Sequence, residues 1–246
     1  MLGALPPFEV ETPWWQEVES VVRAVHQQHG VGLTILRLLS APDGWPGGTV
    51  TYLAEVGGPV EVTRRLPMER WQGTLSDHPL RMPWANAGGP AADMAWARGV
   101  LAERGLNLSA EPVQVRTWNL SSLWRLPLAT ETAWFKSVPP FFEHEGRLLE
   151  RLQGGRVPRL LAHSGRRLLL HEIPGDDLYE PTLEQLHQMV THIVELQAGW
   201  IGRTEELLAL GLPDWRAPAL VGAVEDVVGR AGGPLSTEER AFSTAS

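Results

Sequence analysis

The sequence predicts an α+β protein, and three observations carry that reading. Between Trp14 and Arg65 a helical period gives way to short apolar runs punctuated by turn residues. Between Gln114 and Glu172 alternating runs enclose one amphipathic helical stretch, and beyond Thr182 the period is helical. The order reads as a small N-terminal helix-plus-antiparallel-sheet domain over 1–108, an antiparallel sheet with one helix over 109–176, and the first helices of an incomplete helical part over 177–246.

Thr12 is the expected cap of the first helix, with Pro13 in its first turn and Trp14, Val18, Val21, Val22 and Val25 on one face. Gly30 suits its end. A strand over 31–39 follows, then a Pro- and Gly-rich turn over 41–48 and strands over 49–56 and 60–65. From Leu66 to Pro90 both periods break, and four prolines surround Trp71, Asp77, His78, Arg81 and Trp84. A loop this long is functional or wraps a neighbour. Its tryptophans are either ring surfaces for a substrate or pins to the core, and His78 is either a proton carrier or solvated. A helix over 91–104 ends at Gly105, and 107–112 reads as the domain boundary.

The second sheet begins with a hairpin whose polar turn is Asn119-Leu120-Ser121-Ser122. Trp134, Phe135 and Lys136 lie on its third strand, and the helix that follows carries Glu143 and Glu145. Strands over 157–161 and 167–172, turning at Ser164-Gly165, complete the sheet. Thr182 with Gln185 forms a capping box for a helix repeating Leu186, Met189, Val190, Ile193 and Val194. Two more helices are expected over 204–210 and 218–228, before a polar end over 232–246.

Composition narrows the function classes. The 246 residues are 43% apolar and 20% charged, which excludes wholesale disorder. A net charge of −8 argues against nucleic acid or an anionic membrane as the main partner. With no cysteine there is no disulfide, thiol chemistry or Cys-ligated metal, and a reducing cytoplasm is the expected compartment. No run of 18 apolar residues suggests a membrane span, and the eight histidines lack the spacing of a metal site.

Lys136 is the sole lysine; the other 20 basic residues are arginines. Strand alternation puts it on one face with Trp134, while Phe135 faces the other way. An ammonium leaving water asks for a partner, and a carboxylate from the next helix and a nucleotide phosphate are natural ones. A plain structural Lys–Glu bridge is the competing reading. Trp134 either roofs the neighbouring pocket or fills it. The backbone N–H groups and hydroxyls of Asn119, Ser121 and Ser122 can cup a phosphate. The run Arg167 to Gly175 leaves the sheet through Pro174-Gly175, offering backbone groups at Glu172 and Ile173 to an adenine edge.

The segments S-S-L-W-R-L, W-F-K, H-E-G-R-L-L-E-R-L-Q followed by V-P-R-L-L, and R-L-L-L-H-E-I-P-G-D-D-L resemble the aminoglycoside-phosphotransferase-like branch of the protein-kinase-like fold. The resemblance covers residues 112–230 and implies a kinase-like small lobe over 109–176. It implies that Lys136 meets the α/β-phosphates of ATP and that Glu145, with Glu143 as rival, is its helix partner. It makes Asn119 to Ser122 the phosphate loop and Glu172 to Gly175 the hinge. ATP and Mg²⁺ are the implied cofactors, and a small-molecule hydroxyl the implied acceptor. The chain departs from the family in lacking H-G-D-x-x-x-x-N and the later acidic metal ligand. Asp214, in G-L-P-D-W-R, has no preceding His-Gly. The expectation is therefore the front, ATP-binding portion of a phosphotransferase, without turnover. The alternative is a non-catalytic, pseudokinase-like module that binds a nucleotide or another protein.

Overall fold

The first helix, α1 (Glu19–His29), begins later than its capping residue suggests, because residues 16–18 spend their backbone elsewhere. Val18 N donates to Val115 O at 2.9 Å, and Thr117 N donates to Gln16 O at 3.0 Å, so this stretch is bridged to a strand edge instead of coiling. The Thr12 hydroxyl donates within the turn, to Trp14 O and Glu17 O. At the other end Gly30, at φ 67°, adopts the left-handed conformation that only glycine takes without steric cost. In this computed structural model the described residues are 3–12, 14–43, 48–57, 66–152, 157–175 and 178–230. Pro13, most of the 41–48 turn's centre, the expected strand at 60–65, Asp176-Asp177 and the polar end at 232–246 lie outside them.

The chain is mixed α+β. Strands β1 (Gly32–Ser40) and β2 (Thr51–Gly57) pair antiparallel, and Val18, just before α1, and Val21 of α1 pack with Ile35. A 3-10 turn at Pro83–Ala85 buries Trp84, whose Nε1 donates to Trp118 O at 2.9 Å. Trp84 is therefore a pin. Helix α2 (Gly89–Glu103) follows.

The second sheet comprises β3 (Val113–Trp118), β4 (Ser121–Pro127), β5 (Thr132–Ser137), β6 (Leu160–Ser164) and β7 (Arg167–His171), all antiparallel in the order β3-β4-β5-β7-β6. Helix α3 (His144–Arg151) is the connection between β5 and β6. The sheet has apolar cover on both faces. On one, Ala97 and Leu101 of α2 pack on Trp124, Leu126, Phe135 and Leu169; on the other, Leu149 of α3 packs on Val138, Leu168 and Leu170. That two-sided cover explains the unbroken Leu168-Leu169-Leu170 run of β7, which lies between β5 and β6. Each such fully buried side chain contributes about 1.5–3 kcal/mol.

Polar bonds fasten the N-terminal elements to this sheet. The buried Gln114 amide of β3 bonds both Ile35 N and Ile35 O of β1 at 2.8 Å, acting as a one-residue strand partner. Arg116 pairs with Glu17, and Arg125 with Glu19 at 2.8 Å. Residues 1–178 form one compact unit, so the segments 1–108 and 109–176 lie within it, and 179–246 form another.

Within the second unit, α4 (Leu183–Ala198) opens with the capping box: Gln185 N donates to Thr182 Oγ1 and Thr182 N to Gln185 Oε1. Helices α5 (Thr204–Ala209) and α6 (Ala217–Arg230) follow. None of this unit's described residues is buried, and Met189, Val190, Ile193 and Val194 of α4 are exposed. No helix among the described residues is long and apolar enough to cross a membrane.

Candidate functional site

The lysine strand and the helix after it bring two charges together. Lys136 stands on β5 opposite Leu123 of β4 and Leu168 of β7, on the sheet face that α3 covers. Two short turns, including the 3-10 turn Pro140–Phe142, swing the chain back so that α3 starts at that face. Its first turn carries Glu145, and Lys136 Nζ donates to Glu145 Oε1 at 2.6 Å. Of the two rival carboxylates, Glu145 is the one that makes this bond. The side chains are 30% and 26% exposed, so the pair is neither sealed in the core nor freely solvated. The ammonium carries three donors, and one carboxylate oxygen occupies one of them.

Gly146, next to Glu145, explains how α3 comes so near. A Cβ there would stand 2.6 Å from Cγ and Nδ1 of His163 on β6, a distance real side chains do not tolerate. The helix rests on β6 because this residue has no side chain, and Glu145 is aimed at Lys136 by the same approach.

The hairpin turn is shorter than the sequence suggests. Asn119 and Leu120 form it, whereas Ser121 and Ser122 belong to β4. Ser121 shares the Lys136 face by alternation, and its hydroxyl accepts from Trp118 Nε1 at 2.9 Å. Ser122 points to the opposite face, is 1% exposed, and accepts from Trp124 Nε1 at 3.0 Å. Of the two hydroxyls, only that of Ser121 faces the same way as the ammonium.

At the exit of β7, Glu172 N donates to Thr132 O at 3.2 Å, continuing the sheet by one bond. Ile173 is 62% exposed and Pro174 has no N–H, so the backbone donors left in this exit belong to Ile173 and Gly175. Glu172 stands four positions beyond Leu168, the neighbour of Lys136, or roughly 13 Å along the strand direction. A base, a ribose and the first phosphate extend over a comparable length. Trp134, two residues before Lys136, packs against the cluster of Val138, Leu149, Leu168 and Leu170 and so belongs partly to the core.

The ammonium of Lys136 has the charge and the donors to meet an anion. Among the described residues no three ligating side chains gather at one place. Asp214, the one acid in a loop of suggestive sequence, is held by Arg216, whose side-chain bonds at 2.6–3.1 Å and backbone bond at 3.0 Å bring the carboxyl down to about 2.

A buried cluster next to β5 escaped the sequence reading. Asp93 of α2, 1% exposed, accepts from Arg166 (2.6 and 2.9 Å) and from Arg167 (2.8 Å), and Arg166 also donates to Ser137. The cluster ties α2 to the β6–β7 turn. Its one trace in the sequence is an acid set among the small and apolar residues 89–97. No family model matches this chain, and no curated protein matches it.

Proposed function

We propose that residues 109–176 are the nucleotide-binding lobe of a small-molecule phosphotransferase of the aminoglycoside-phosphotransferase-like kind, with ATP as its nucleotide. One observation carries the reading: the sole lysine, on the third strand of a five-stranded antiparallel sheet, bonds at 2.6 Å to a glutamate on the helix that follows that strand. Kinases set their phosphate-binding lysine in this relation, because phosphoryl transfer depends on positioning and charge neutralisation and the glutamate fixes where the ammonium points. Lys136 would hold the α/β-phosphates, Glu145 would orient it, the Asn119-Leu120 backbone and Ser121 would close on the phosphates, and Glu172 with Ile173 would meet the base. ATP supplies the transferable phosphoryl group. Transfer to an acceptor hydroxyl would further need a base, and the phosphates would need Mg²⁺. The absence of cysteine supports the cytoplasm as its compartment.

Binding without transfer is the second reading, favoured by Asp214 being engaged with Arg216 instead of standing in an H-G-D loop. Calorimetric titration with ATP and Mg²⁺, run beside Lys136→Ala and Glu145→Gln, tests both. The expected outcome is binding by the wild type, loss in Lys136→Ala and weakening in Glu145→Gln, with no phosphotransferase turnover. Equal affinity in all three refutes the nucleotide lobe; steady turnover by the purified chain refutes the binding-only reading.

A further inference from the structure

A cavity of about 380 Å³ lies between the β1–β2 hairpin and the Pro-rich loop, lined by Arg37, Thr51, Trp71, Thr74, Ser76 and Arg81 among others. Among the described residues no carboxylate lines it, although the chain as a whole carries a net charge of −8. Arg37 Nη1 donates to Ala85 O at 2.7 Å, and among the described residues it forms no ion pair. Arg81 is braced by Ser76 O at 2.6 Å and lies 3.6 Å from Asp77, whose side chain is fully exposed to solvent. The two guanidiniums feel each other: burial first, and then the charge of Arg81, hold Arg37 below the ordinary guanidinium value, with Asp77 opposing. Fixing two like charges at a cavity wall is unfavourable until an anion enters.

Trp71 forms part of the same wall. Gly73 lies directly against its indole, so that a Cβ at Gly73 would collide with the six-membered ring. The ring is thus held by the loop's own backbone and presents a flat apolar surface beside the two cations.

We infer that this cavity binds a small phosphate monoester, with the phosphate on Arg37 and Arg81 and a ring of the ligand against Trp71. The donor set selects the anion. The N–H groups that Arg37 and Arg81 do not spend on Ala85 O and Ser76 O, together with the hydroxyls of Thr51, Thr74 and Ser76, offer more donors than the two oxygens of a carboxylate accept, and a phosphoryl group presents three oxygens. Arginine in place of lysine suits planar, paired bonds to phosphate oxygens. The site is independent of Lys136, and so of the nucleotide reading.

The test is calorimetry on the whole chain with inorganic phosphate, phenyl phosphate and phenol, in wild type, Arg81→Gln, Trp71→Ala and Lys136→Ala. Arg81 is the first choice for substitution because its bonds lie in an exposed loop. Arg37→Gln, which also removes a bond to Ala85, is the second, and circular dichroism checks the fold of each. Phenyl phosphate should bind with a Kd on the order of millimolar, phenol not at all. Arg81→Gln should weaken it by at least about tenfold, the worth of one charge-assisted bond. Trp71→Ala should remove the advantage of phenyl phosphate over inorganic phosphate, and Lys136→Ala should change neither. Absence of phosphate binding, or binding untouched by both arginine substitutions, overturns the proposal. Loss in Lys136→Ala alone also overturns it, by assigning the phosphate to the other site.

Discussion

Gly146 stands in the first turn of α3, directly after the carboxylate that holds Lys136, and its replacement by alanine sets two effects of opposite sign against each other. In a helix free of neighbours, alanine is better than glycine by about 0.8–1 kcal/mol, and somewhat less in a first turn. Here the new methyl would stand 2.6 Å from Cγ and Nδ1 of His163 and 2.7 Å from its Cβ. Those atoms lie at the root of a side chain on a paired strand, so they cannot swing aside as a chain end would. Overpacking of this kind costs about 1–3 kcal/mol. The net expectation for Gly146→Ala is a loss of up to about 2 kcal/mol in urea unfolding, with weaker ATP binding because α3 must lift Glu145 away from Lys136.

A double-mutant cycle separates the two terms. His163→Ala is the wrong partner, since its Cβ would remain in the way, so the cycle needs His163→Gly. In that background Gly146→Ala should become stabilising by roughly 1 kcal/mol, giving a coupling of about 1–3 kcal/mol. Removing the imidazole also breaks its pairing with Glu150, but that pair spans 3.5 Å and is exposed on the acid's side, too weak to account for such a coupling. If Gly146→Ala stabilises the wild type as much as the His163→Gly protein, the close approach of α3 to β6 is refuted, and with it the account of how Glu145 is aimed.

Three further outcomes are expected. Gln114→Leu leaves Ile35 N–H and C=O without partners in a buried place and should cost about 2–5 kcal/mol in urea unfolding; a loss under about 1 kcal/mol would show that β1 and β3 are not joined there. Asp93→Ala strands Arg166 and Arg167 in poorly solvated positions and should cost about 3–5 kcal/mol, whereas a change near zero would mean that the arginines re-solvate. Burial pushes the Tyr52 phenol from its ordinary 10.0 up to about 12, while its hydroxyl donates to Trp15 O. Because the folded value is the higher one, Tyr52 contributes its full stability below pH 10.0 and loses it as pH rises towards about 12. Tyr52→Phe should flatten that decline, and an absorbance titration in which Tyr52 ionises near 10.0 would refute it.

What the sequence disclosed depended on how local the determining contacts are. The Thr182–Gln185 box is visible because its partners are three residues apart, and alternation alone separates Lys136 from Phe135. The start of α1 was missed by several residues because the backbone of 16–18 bonds to a strand nearly 100 positions away, a competition that no local window contains. Separations of 73 and 79 positions likewise hid Asp93 from Arg166 and Gln114 from Ile35. Ser122 read as a turn residue because its polarity is that of a loop; Trp124 two residues on, whose indole N–H needs an acceptor inside the core, accounts for a hydroxyl there. Trp84 proved a pin once its own N–H had an acceptor at Trp118.

The Lys136–Glu145 pair itself discriminates between a structural bridge and a functional one by its size. Pairs as open to water as this one contribute about 0–1 kcal/mol, set against the 1.5–3 kcal/mol of each buried leucine around it. Lys136→Met keeps the stem that crosses the sheet face and removes the charge. If the pair is a bridge for the fold, that change exposes its worth directly. If instead the lysine is held for a phosphate, unfolding should shift by no more than about 1 kcal/mol while ATP affinity falls by tenfold or more. A loss of several kcal/mol with no loss of affinity would reverse the assignment, since the charge would then belong to the core and not to a ligand.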